Sequence, residues 1–211
     1  MKLSLLAKLW FCLTISAAML PSHATESDVY FEAHPVQQLF QEQNESWDDF
    51  VSRSARVMRD YTRETNFEAG GWLCVNPDSR RGAISVISNH SQISVSAGIK
   101  GCPLGGYRLT QEFMHSHPVK EHIVLTEHDL HGYPMGKVAR LMGGMRAGSR
   151  VHVGKSGGRF SQPDMAIGPG YLVHGNDLHY QKNGRQHFAR SIESTGVIRD
   201  SSALQTLVAS Y

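Results

Sequence analysis

"YRLTQEFMHSHP", Tyr107 to Pro118, decides how this chain is read. Its β-branched, aromatic and alternating character predicts a strand, and Pro118 ends it because proline cannot donate to a sheet ladder. Side chains alternate along a strand, so Leu109, Gln111, Phe113, His115 and His117 are expected on one face. Two imidazoles then project side by side from a strand end. That pair can supply two ligands to zinc, and a catalytic zinc needs a third protein ligand and an open position. Downstream, "TEHD" (Thr126 to Asp129) has the spacing of a helix N-terminal cap with a carboxylate in the first turn, which makes Asp129 the expected third ligand. The same spacing also serves as a plain cap, and Glu127 or His128 is the alternative ligand. Four histidines between Phe113 and Asp129, in a chain holding 12, do not by themselves make a site.

Working outward, Trp47, Val51, Ser54, Met58 and Tyr61 recur at steps of four and three, which predicts an amphipathic helix before the strand. "GWLCV" and "AISVIS" read as strands between the helix and the histidine segment, and "RVHVG" and "GYLVHGNDLHYQK" as strands after it. Gly175-Asn176-Asp177 marks a hairpin turn. Further helices are expected around Lys137 to Met145 and near Ser201 to Ala209. The fold class is α+β, a mostly antiparallel sheet flanked by helices.

The first 24 residues, with Lys2 and Lys8, an apolar stretch and small residues near Ala24, read as a secretory signal peptide. Residues 25–45 read as a polar, loosely held lead-in, and 46–211 as one domain, a length that supports a single core. No later segment is apolar for long enough to span a bilayer. Cleavage removes two lysines and no acid, so the formal charge falls from +2 to zero, which gives no electrostatic case for nucleic acid or an anionic membrane. It also leaves Cys74 and Cys102, an even pair in an oxidising compartment, which favours a disulfide over buried thiols or metal ligands. Periplasm or secretion is the expected location. Oligomeric state is not legible.

The histidine segment resembles the metal motif of the JAMM (JAB, MPN+) metalloproteases: a glutamate, then His-x-His-Pro, a loop and Ser-x-x-Asp. His115-Ser116-His117-Pro118 matches it, "NFEAGGWLCV" offers Glu68 as the upstream glutamate, and Thr126 to Asp129 stands for Ser-x-x-Asp, with threonine for serine and a loop one residue longer. The likeness is strongest to a secreted bacterial JAB-like group. It implies a JAMM/cytidine-deaminase-like fold in which His115, His117 and Asp129 hold Zn²⁺, Glu68 is the general base and Thr126 supports the oxyanion. The implied reaction is hydrolysis of peptide or isopeptide bonds by metal-activated water. In a bacterial envelope the accessible amides are cell-wall peptides and proteins, and a secreted effector domain would use the same chemistry. A catalytically silent JAMM-like binding module is the alternative.

Overall fold

The computed structural model describes residues 32–95, 101–131, 146–152 and 158–193. The expected signal segment and the expected helices at 137–145 and 201–209 lie outside the described residues.

Among the described residues, nine strands and three helices make an α+β fold. Strands β1 (His34–Phe40), β2 (Gly70–Val75), β3 (Gly82–Ser88), β4 (Arg108–His117), β7 (Gly170–His174), β8 (Asp177–Lys182) and β9 (Arg185–Ser191) form one sheet. Its order is β1-β3-β2-β4-β7-β8-β9. Among the described strands of this sheet, β4 and β7 pair in parallel and the other pairs are antiparallel. The β4-to-β7 crossover carries a separate ribbon, β5 (His122–Val124) with β6 (Arg150–His152), and two short helices, α2 (Glu127–His131) and α3 (Gln162–Ile167).

The long helix α1 (Trp47–Thr65) forms where the four-and-three spacing predicts it. Ser46 caps its start, accepting from the Asp49 amide, and Asp48 and Asp49 complement the positive end of the helix dipole. Phe50, Val51, Ala55 and Met58 are completely buried against the sheet core of Leu73, Ile84, Met114 and Tyr171. Full burial of each large apolar side chain contributes roughly 1.5–3 kcal/mol. Asn66 then takes a left-handed conformation (φ 64°), donates its amide to the Thr62 carbonyl and turns the chain towards Glu68.

Residues 34–40 belong to the sheet, although they lie in the polar stretch expected as a loose lead-in. β1 is an edge strand paired with β3, which explains how a polar segment can be ordered. One side of it is solvated while Leu39 enters the core. Strand β9 follows a turn at Asn183-Gly184, both at positive φ (54° and 71°), the conformation of the tight hairpin that this dipeptide favours.

The expected alternation in β4 is interrupted. Gln111 adopts φ 67°, and the register against β2 shifts between the Trp72 and Cys74 pairings. This bulge exposes Gln111 and buries Glu112, whose carboxylate accepts a hydrogen bond from the Tyr180 hydroxyl. Beyond it, Phe113, His115 and His117 share one face. The ring centroids of Phe113 and His115 lie 5.7 Å apart and those of His115 and His117 4.9 Å. Cys74 and Cys102 are disulfide-bonded, tying β2 to the loop that leads into β4.

Candidate metal centre

Three elements bring their polar side chains to one point. β4 ends in His115 and His117, with Nε2 atoms 3.2 Å apart. α3 brings Asp164, whose Oδ2 lies 3.5 Å from His115 Nε2 and 3.7 Å from His117 Nε2. The start of β2 brings Glu68, with Oε1 3.7 Å from His117 Nε2. The β2–β4 register explains the last approach: Gly70 pairs with His115, and two residues further along Glu68 comes opposite His117.

Glu68 is fixed at its backbone from both sides. Its amide donates to the Ser91 carbonyl at 2.7 Å, and its carbonyl accepts from the Ser88 hydroxyl at 2.7 Å. Ser116, between the two histidines, points to the opposite face. Its hydroxyl lies 2.6 Å from that of Thr62 on α1 and accepts from the Ala69 amide at 3.0 Å. One buried serine thus links helix, glutamate strand and histidine strand.

Asp164 sits in the first turn of α3 under a capping box. The Ser161 hydroxyl accepts from the Asp164 amide, and the Asp164 carboxylate accepts from the Ser161 amide at 2.7 Å. Pro163 within this first turn suits a helix start, where no intrahelical partner awaits its missing N–H. Burial disfavours the Asp164 charge, but the hydrogen bond and charge of His115, with Ser161 and His117, outweigh it and hold its pKa below the usual carboxylate range. Glu68 moves the other way: burial first, then repulsion from Asp164 and Asp129, raises its pKa well above the ordinary value. The Phe160 ring, one residue before the cap, packs edge-on against His115 with centroids 5.8 Å apart.

The donor set fits a metal ion. His115, His117 and Asp164 each offer one ligand atom, all within 4.8 Å of one another. A tetrahedral site with bonds of about 2.0–2.1 Å has ligand–ligand edges of roughly 3.3 Å, and the three observed separations of 3.2, 3.5 and 3.7 Å bracket that value. No family model, curated protein or solved structure matches the chain.

The residues singled out in the sequence therefore divide. Glu68, His115 and His117 come together; Thr126 and Asp129 do not join the ligand group. Asp129 is fully buried and its carboxylate is committed elsewhere. Oδ1 accepts from the Ser91 hydroxyl (2.9 Å) and the Gln92 amide (2.6 Å). Oδ2 accepts from Gln92 Nε2 (2.9 Å), the Thr126 amide (2.8 Å) and the Thr126 hydroxyl (2.8 Å). With five donors on two oxygens, Asp129 braces the 91–92 loop against the start of α2. Glu127 and His128 are not in the group either. Asp164 is the carboxylate that the structure groups with His115 and His117. Its signal was present in the sequence: Ser161-Gln162-Pro163-Asp164 is an unmodified Ser-x-x-Asp, further down the chain than Thr126-Glu127-His128-Asp129.

No helix among the described residues is long and apolar enough to cross a membrane.

Proposed function

We propose that this protein is an exported zinc hydrolase of peptide or isopeptide bonds, resembling the JAMM metalloproteases, with His115, His117 and Asp164 as ligands and Glu68 as general base. The observation carrying this reading is the convergence of two imidazole nitrogens and one carboxylate oxygen beside a buried glutamate. Three protein ligands leave a tetrahedral ion one open position, the pattern of hydrolytic rather than structural zinc. Zinc held there supplies Lewis acidity and a nucleophile at neutral pH.

The chain's own groups supply the remainder. Glu68, beside His117 and held at its backbone, is placed to take a proton from the attacking water and pass it to the departing amine nitrogen. Phe113 and Phe160 flank His115 and restrict solvent around it. In this alignment Ser161, rather than Thr126, takes the serine place of the motif and is the candidate oxyanion donor. The signal-like start and the Cys74–Cys102 bond support export, which makes envelope peptides and proteins the accessible substrates.

The test pairs metal analysis with a peptidase assay on wild type and Glu68→Gln. Zinc in both proteins, with hydrolysis in wild type alone, is the expected result. Zinc in both with equal hydrolysis would remove Glu68 from the mechanism. Zinc with no hydrolysis across a broad peptide and cross-linked cell-wall panel would favour a silent JAMM-like binding module.

A further inference from the structure

A second group of metal-type ligands lies on the ribbon inside the β4-to-β7 crossover. His122 on β5 and His152 on β6 are directly paired across the two strands, with ring centroids 4.9 Å apart. Direct cross-strand partners project from the same face of a ribbon. Glu121 precedes His122, and one ligand atom from each of the three residues lies within 4.8 Å of the other two. Glu121 and His152 are exposed and His122 is half-buried, so small rotations of the side chains can close the group on an ion with little repacking.

The ribbon has only three residues on each strand. A two-stranded ribbon is at best marginally stable alone. Ile123 and Leu125 are buried beneath it, and a backbone bond from the Leu125 amide to the Ser149 carbonyl extends the pairing. Beyond these, a cross-strand metal bridge would be the strongest link between its strands. Two imidazoles and a carboxylate suit zinc, copper(II) or nickel(II) and do not suit calcium or magnesium, which take oxygen ligands.

We propose that Glu121, His122 and His152 form a peripheral transition-metal site that clamps β5 to β6. The site is separate from the centre at His115, His117 and Asp164 and stands independently of it. It fixes the crossover between the two ligand-bearing segments, because β5 begins five residues after His117 and β6 ends twelve before Asp164.

The test is equilibrium dialysis of tag-free protein against zinc, with elemental analysis of wild type, His152→Gln, Glu121→Gln and His117→Ala. Wild type should hold about two ions, and His152→Gln and His117→Ala about one each, since each removes one separate site. Glu121→Gln should weaken the ribbon site while sparing the other. Copper(II) on His117→Ala should show nitrogen hyperfine splitting in its EPR spectrum, and adding His152→Gln should abolish it. Unchanged stoichiometry in His152→Gln would overturn the clamp, as would loss of all metal in His117→Ala. One ion that survives His117→Ala but disappears in His152→Gln would uphold the clamp and sink the central metal reading.

Discussion

Asp164 Oδ2 stands 3.5 Å from His115 Nε2 although 49 positions of chain separate the two residues. The contact exists because β4 and β7 run parallel. β7 begins at Gly170 opposite Phe113, two residues before His115, so α3, the last described element before β7, lies beside the histidine end of β4. Asp129 lies only 14 positions from His115 and is turned to other partners.

Replacing each aspartate separates the two candidates for third ligand. Asp164→Asn should lower zinc content well below that of wild type while leaving the melting temperature of the metal-free protein within a few degrees. Asp129→Asn should keep the zinc and destabilise the fold by about 2–4 kcal/mol, because it disturbs a buried carboxylate accepting five hydrogen bonds. Elemental analysis with urea melts decides it; zinc loss in Asp129→Asn alone would restore Asp129 to the site.

Glu68→Gln keeps shape and volume but cannot accept a proton. Its kcat on any peptide substrate should fall by about 10²–10⁴-fold, the usual worth of general acid–base catalysis. Zinc content should be unchanged.

Glu112 should make stability pH-dependent. Burial raises its pKa to about 7, against the lowering effects of the Tyr180 hydrogen bond and Lys182, whereas the unfolded chain titrates near the ordinary 4.5. Between those values the folded protein holds the extra proton, so stability falls as pH rises from about 4.5 to 7 and levels off above. The loss is at most about 3.4 kcal/mol, from 1.36 kcal/mol per unit. Glu112→Gln should flatten that part of the profile in urea melts across pH; an unchanged slope would assign it to other groups.

The disulfide closes a loop with a sequence separation of 28, which corresponds to roughly 3–4 kcal/mol of lost unfolded-state entropy. The Cys74→Ser/Cys102→Ser double variant should be less stable by up to that amount. Mass spectrometry of wild-type protein produced under oxidising conditions should find no free thiol at either position.

Gly170 pairs with Phe113 where β7 joins β4, and a Cβ there would run into the Phe113 carbonyl. Gly170→Ala should cost at least about 2 kcal/mol, because the obstacle is backbone rather than a side chain that can rotate away. It should also weaken zinc binding, since β7 follows directly on the helix that carries Asp164.

Local patterns carried a large part of this protein. The spacing of Trp47, Val51, Met58 and Tyr61 defined α1, and "HSHP" placed two imidazoles at a strand end, because helix and strand periodicities are properties of a few consecutive residues. Glu68 was legible by its place before "GGWLCV". The strand β1 was hidden, since an edge strand needs only part of one face apolar. The bulge at Gln111 was hidden too, because it depends on the partner strand.

The sequence by itself thus determined the α+β class, the histidine pair and its glutamate neighbour. Which carboxylate stands beside the two histidines was decided by tertiary structure alone. Both Thr126–Asp129 and Ser161–Asp164 have the spacing of a capped helix start, and nothing in either local pattern tells which faces the histidines. The parallel return to β7 brings Asp164 to them, while Ser91 and Gln92 together with Thr126 engage both carboxylate oxygens of Asp129.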